Sequence, residues 1–268
     1  MKNLLLFVHQ DAGQEARLQV ALDLARAFDA HINCLDVSIV PMLAHDYAAL
    51  GGEALLLSEE RAAEAANSAR LKARLAAEDV AFTWQEAAGD PALCLKEAAR
   101  LNDVVILNRA LDSATYPNMA DLAGAVLSDG GLPVLAVPET ARSFDVGGHA
   151  LIAWDGSHAA ESALKAALPL LYRAGGVTVM HVGEAMIALP PEQAAIYLAR
   201  RGIHVEVRHD VSDGRRAGVQ LLSHAASECD YLVMGGFGHP RWYEEIFGGT
   251  TVAALERSPV PVLLGRAH

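Results

Sequence analysis

The chain has 268 residues, a length that suits one large domain or two of ordinary size. Hydrophobic residues make up 52% and charged residues 20%, so it can bury a core and is not a disordered polymer. Its 21 Lys and Arg stand against 33 Asp and Glu, a net charge of −12. That excludes a broad surface for DNA, RNA or anionic membrane, because each needs a basic footprint.

In chain order, Leu4–Val8 is a short, wholly apolar run, as in a strand covered on both faces. It is too short for a secretory signal, and no run reaches the roughly 18 residues of a membrane span. Asp11-Ala-Gly-Gln14 reads as a capping box opening a helix to about Ala27. His31–Val37 reads as a second strand, Glu53–Glu78 as a long Ala-, Glu- and Arg-rich helix, and Val80–Gln85 as a third strand. Asp90-Pro91 is an N-cap with proline at N1, opening a helix to about Leu101. Asp103–Leu107 is a fourth strand, Asn118–Leu127 a helix, and Pro133–Val137 a fifth strand. Glu139–Gly148 has the polar and glycine character of a linker.

The order then recurs. Ala150–Trp154 is a strand, Ser157 caps a helix to about Arg173, and Val177–Val182 is the next strand. Pro190–Arg201 is helical, His204–Arg208 a strand, Asp213–Glu228 helical, Tyr231–Met234 a strand, Thr250–Glu256 helical and Pro261–Leu264 the last strand. Three landmarks align. Leu5-Leu-Phe-Val matches Leu151-Ile-Ala-Trp, Asn102-Asp-Val-Val-Ile matches Cys229-Asp-Tyr-Leu-Val, and Leu132-Pro-Val-Leu matches Val260-Pro-Val-Leu. The chain is thus read as a tandem repeat of two α/β units, 1–140 and 147–268, each a doubly wound parallel sheet of five strands.

In such sheets ligands bind beyond the carboxyl ends of the strands. The second unit has Asp155-Gly156-Ser157 after its first strand and the stretch Gly235–Thr251, GGFGHPRWYEEIFGGTT, after its fourth. Glycines at both ends let backbone N–H groups approach a phosphate, and Thr250 and Thr251 open the next helix, where its dipole favours an anion. His239 and Arg241 would add positive charge. An ordinary glycine-rich loop is the competing reading. Neither the dinucleotide fingerprint nor a Walker A loop nor a Gly-x-Ser-x-Gly elbow is present.

Gly235-x-x-Gly238, nine residues, then Gly248 resembles the ATP-binding signature of the universal stress protein family. Ala153-Trp-Asp-Gly-Ser157, Met180-His-Val182 and Pro261-Val-Leu-Leu264 resemble that family's first, second and closing strands. The resemblance covers nearly the whole chain, as two such domains in tandem with a Rossmann-like, adenine-nucleotide α-hydrolase-like fold. It implies that Asp155 binds the adenosine part, that Val182 lines the adenine slot with Ala153 as its floor, and that Met234 and Gly235 pass close to the nucleoside. Gly238, His239, Gly248, Gly249, Thr250 and Thr251 would surround the phosphates of ATP, ADP or AMP, with any Mg²⁺ carried by the phosphates. Gly249 stands where the family has Ser or Thr, so one hydroxyl contact is lost.

The first unit departs further. After Leu107 no glycine occurs until Gly124, and its first strand ends in His9-Gln-Asp11. It is expected to serve chiefly as a built-in partner for the second, since in the family two such domains pair. Pairing of whole chains into a homodimer is compatible with that. A cytoplasmic stress-response protein that binds an adenine nucleotide, with at most slow ATP hydrolysis, is the leading reading. A nucleotide-independent interaction protein of the same fold is the alternative.

Other residues have bland readings. His204 and His209 tend to opposite faces, and no Cys/His cluster suggests a metal. Ser157 beside His158 needs only its cap role. Arg215-Arg216 reads as a solvated face and Trp242-Tyr243 as loop packing. Cys34, Cys94 and Cys229 cannot all pair and form no CxxC, which fits buried thiols in a reducing compartment.

Overall fold

The computed structural model describes residues 1–38, 53–111, 117–183, 187–211, 216–236 and 248–266. Its elements are β1 (Asn3–Val8), α1 (Gln14–Phe28), β2 (His31–Ser38), α2 (Glu53–Ala77), β3 (Ala81–Ala88), α3 (Pro91–Ala99), β4 (Val104–Asn108), α4 (Met119–Gly130) and β5 (Val134–Val137). The second half continues with β6 (His149–Ala153), α5 (His158–Leu171), β7 (Gly176–Val182), α6 (Pro191–Ala199), β8 (Glu206–Asp210), α7 (Ala217–Glu228), β9 (Tyr231–Gly235), α8 (Gly248–Arg257) and β10 (Val262–Gly265).

The strands form a ten-stranded sheet in the order β3-β2-β1-β4-β5-β10-β9-β6-β7-β8. Every neighbouring pair is parallel except β5 and β10, which run antiparallel with Leu135 opposite Leu263. Each half therefore keeps the expected five-stranded, doubly wound order, and the two join edge to edge. The apolar runs that marked the strands are buried on both faces: β4, β5 and β10 are buried throughout. One core lies beneath α1, α2, α5 and α6, the other beneath α3, α4, α7 and α8.

Local signals acted as read in several places. Asp90 accepts from the Leu93 amide at 2.9 Å with Pro91 in the first turn of α3, and Ser157 accepts from the Ala160 amide at 3.2 Å. The capping box at Asp11 is a correction. Gly13 is the N-cap of α1 and makes no side-chain cap. The Asp11 carboxylate goes to Arg17, and the Gln14 side chain turns away to exchange hydrogen bonds with Asn67 of α2 at 2.8 Å. The carboxylate also accepts from the Gly13 amide at 2.8 Å, but it makes no bond to the Gln14 amide that a capping box requires.

The segment joining the halves is anchored. Phe144 and Val146 are buried, the Phe144 amide donates to Asp23 at 2.8 Å, and its ring lies 5.3 Å from that of Tyr231. Cys34 is buried, Cys94 and Cys229 are half-buried, and all three are free thiols. Burial pushes the Cys34 and Cys229 thiols up to about 12, which keeps them protonated and inert.

Candidate functional site

The carboxyl end of the second half is built from three adjacent strands. β9, β6 and β7 lie side by side, and their last inward residues on one face are Met234, Ala153 and Val182. The three share a cluster with Met180 and Leu221, so the structure brings together the apolar residues picked out for a base-binding slot. Beyond Ala153 the chain stays in the sheet for one more bond, from the Trp154 amide to Met180 at 2.8 Å. Trp154 turns to the opposite face, where its indole N–H donates to the Leu189 carbonyl at 2.8 Å.

Asp155 follows at the exposed rim. One of its carboxylate oxygens accepts from the Ser157 amide at 2.9 Å, which closes the turn into α5. Gly156 must be glycine there: φ is +72°, and a Cβ would lie 2.8 Å from the Leu189 carbonyl oxygen. Behind this turn His181, buried, bonds the Trp154 carbonyl through Nδ1 at 2.9 Å. A carbonyl only accepts, so Nδ1 carries the proton, and Nε2 has no hydrogen-bond partner among the described residues. Sequence reading gave His181 no role; its strand-end position was the available signal.

α8 begins at Gly248, two residues earlier than the sequence suggested. This has a chemical consequence. The leading N–H groups of a helix lack intrahelical acceptors, and the first turn here runs over Gly248, Gly249, Thr250 and Thr251, the set expected around phosphates. Gly249 is exposed, and a Cβ there would meet nothing within 4 Å among the described residues. Thr250 lies against Gly218 of α7, where a Cβ would sit 2.9 Å from its Cα. Thr251 is buried, and its hydroxyl donates to the Gly235 carbonyl at 3.5 Å. The first turn of α8 holds no acidic residue. Gly238 and His239 lie outside the described residues, as do Arg241, Trp242 and Tyr243.

Gly235 has a packing reason for its missing side chain. A Cβ there would stand 2.7 Å from the Ala160 amide nitrogen, and at its sheet partner Gly265 one would stand 2.5 Å from Ala163 Cα. The two glycines seat α5 directly on the sheet.

The same end of the first half is filled differently. Asn108 ends β4 where Gly235 ends β9, and Gly13 faces it from α1. Arg17 is fully buried between the ends of β1 and β4. It donates to the Phe7 carbonyl at 3.2 Å, the His9 carbonyl at 3.0 Å, both Asp11 carboxylate oxygens at 2.9 Å and the Asn108 side-chain oxygen. Burial lowers its pKa, and the Asp11 charge pulls it back up; a guanidinium stays protonated in either case. α4, the counterpart of α8, also differs. Asn118 accepts from the Ala120 amide at 3.0 Å and the Asp121 amide at 3.4 Å, and Asp121 puts an acid in the first turn. That helix end is already capped and repels an anion. Residues 112–116, which precede it, lie outside the described residues.

One further feature lies away from this end. A cavity of about 280 Å³ opens between α5 and α6 beneath Trp154, on the other face of the sheet. Among the described residues no group of three His, Cys, Asp or Glu is placed to hold a metal ion, and no helix is long and apolar enough to cross a membrane.

A doubly wound sheet order that recurs in the two halves of one ten-stranded sheet defines a two-unit α/β protein. Residues 148–266 match the sequence model described as the Universal stress protein family. The second half is thus similar to that family over residues 148–266, and the first half repeats its fold. A universal stress protein from Archaeoglobus fulgidus aligns over 98% of this chain and 98% of its own at 19% identity, with a TM-score of 0.70. One described as putative from Pseudomonas aeruginosa aligns over 99% and 93% at 18% identity and a TM-score of 0.63. At those identities the likeness is one of fold. No curated protein matches the chain.

Proposed function

We propose that the second half binds one adenine nucleotide (ATP, ADP or AMP), with Mg²⁺ carried by the phosphates. The chain would serve as a nucleotide-responsive regulatory protein, with at most slow ATP hydrolysis. The observation that supports this most is the first turn of α8: it opens on two glycines, holds no acidic residue, and at Gly249 meets no other described residue. The base would lie against Met234, Ala153 and Val182, and the exposed Asp155 carboxylate would take the ribose hydroxyls. Gly238 and His239, with the glycine loop, would close over the phosphates. No nucleophile with a paired base stands at the described part of this end, which favours binding over turnover.

The first half would bind no nucleotide and would stand in for the second domain of a dimer, its β5 taking the edge of β10 within one chain. Pairing of whole chains would then be a further step.

Equilibrium titration with ATP, ADP and AMP, each with and without Mg²⁺, tests the reading. Asp155→Ala should weaken binding about tenfold, the loss of one charge-assisted hydrogen bond, and lower thermal stability slightly through its lost bond to the Ser157 amide. Gly238→Val should abolish binding. Absence of binding by the wild-type chain at millimolar ligand would leave the nucleotide-independent interaction protein as the reading.

A further inference from the structure

The C-terminal end of α8 is held by the other half of the chain. The last four carbonyls of a helix lack intrahelical partners. In α8 the Ala254 carbonyl is taken by the Ser258 amide at 3.0 Å. The next two are taken from the first half: the Ala110 amide donates to Leu255 O at 2.7 Å, and Arg109 Nη1 donates to Glu256 O at 2.7 Å. Arg109 is itself fixed, because its amide donates to Val137 O at 2.9 Å and its Nη1 also reaches Ala110 O at 2.9 Å. The residues just beyond β4 therefore form a cationic clamp on the negative end of the helix dipole.

Among the described residues the grip runs one way. Arg109 follows Asn108 as Gly236 follows Gly235, and Gly236 has no side chain to offer. Its amide donates within its own half, to Gly265 O at 2.8 Å. The helix it would have to clamp, α4, ends in its own cap, with Gly131 in the left-handed region at φ 61°. The first half is self-sufficient at this point, whereas α8 draws on its neighbour.

At its other end α8 rests the Thr250 backbone against Gly218 of α7 and bonds Thr251 to Gly235 O at 3.5 Å. Its ten residues span about 15 Å, so a tilt at one end swings the other by several ångströms. We propose that Arg109, with Ala110, is a positioning element of the first half that aims the N-terminal amides of α8 at the bound anion. This rests on the nucleotide reading of that helix end. The first half thereby lends a charge and an amide to the ligand-binding helix of the second.

The test uses the full chain with Arg109→Ala, Arg109→Gln and Arg109→Lys. Hydrogen exchange of the 248–257 peptide is measured without nucleotide, and ATP affinity by titration calorimetry. Arg109→Ala should speed exchange in that peptide and weaken ATP about fivefold, the ratio that corresponds to about 1 kcal/mol. Lys keeps the cation and should restore most of the affinity, and Gln, which keeps a donor without charge, should fall between them. Unchanged exchange and an affinity within about twofold of wild type for Arg109→Ala would overturn the clamp. So would a loss that Lys does not restore while the variant stays folded. If the wild-type chain binds no ATP, the nucleotide reading fails by itself, and the exchange data still decide whether the clamp orders α8.

Discussion

Replacing Arg17 with methionine should unfold the first half's strand ends from within. Arg17 is fully buried, and Met has a similar length without charge. The change leaves the Asp11 carboxylate, whose side chain is 3% exposed, with the Gly13 amide at 2.8 Å as its remaining partner there. It also strands the Phe7 and His9 carbonyls that now accept from the guanidinium. Breaking a buried ion pair from one side costs about 3–5 kcal/mol, because the surviving charge stays desolvated. We therefore expect Arg17→Met to lose about 4 kcal/mol. The double variant Arg17→Met with Asp11→Ala should regain about 1–3 kcal/mol of that, since no buried charge is then left alone. Urea denaturation followed by tryptophan fluorescence and by circular dichroism reads both, and coincidence of the two probes licenses the free energies. A cost below about 1 kcal/mol for Arg17→Met, or a double variant no more stable than the single, would refute the reasoning.

Gly235→Ala should destabilise by about 1–3 kcal/mol, because its Cβ would press on the Ala160 amide and lift α5 off the sheet; an unchanged melting temperature would show that the helix yields freely. His224 offers a pH test. Its hydrogen bond to Glu228 at 3.0 Å, joined by one to Asp210 at 2.6 Å, holds it above the ordinary histidine value against desolvation. Its contribution is complete below about pH 6.5 and fades as pH rises through the raised value. The partner carboxylates are held low, Glu228 first by His224 and Asp210 first by Gln220, so their share is lost only in acid. The stability gap between wild type and His224→Gln should thus be wider near pH 5.5 than near pH 8.5, and equal gaps at the two would count against it.

The repeat was legible because strands buried on both faces are written as unbroken apolar runs, and Leu4–Val8, Val104–Asn108 and Tyr231–Gly235 carry that signature wherever it falls. Asp90 and Ser157 announced their helices because an N-cap acts on amides two or three residues away. Longer-range choices were not legible. Asp11 looked like a cap, since nothing local says that Arg17 will be driven inside to claim it. Gly235 looked like a ligand glycine, yet a helix more than 70 residues earlier in the chain explains its bare backbone. The clamp from Arg109 to α8 joins residues 147 apart and leaves no pattern in either segment.

The central claim is that two similar halves hold one nucleotide site between them, in the second half. Native mass spectrometry of the purified chain with added ATP measures this as a mass increment per chain. The account predicts a single nucleotide per chain, reduced in occupancy at sub-saturating ATP by the roughly tenfold weakening of Asp155→Ala, abolished by Gly238→Val and kept by any folded variant confined to the Arg17 cluster. Two nucleotides per chain, or one that Gly238→Val leaves in place and Arg17→Met removes, would contradict it.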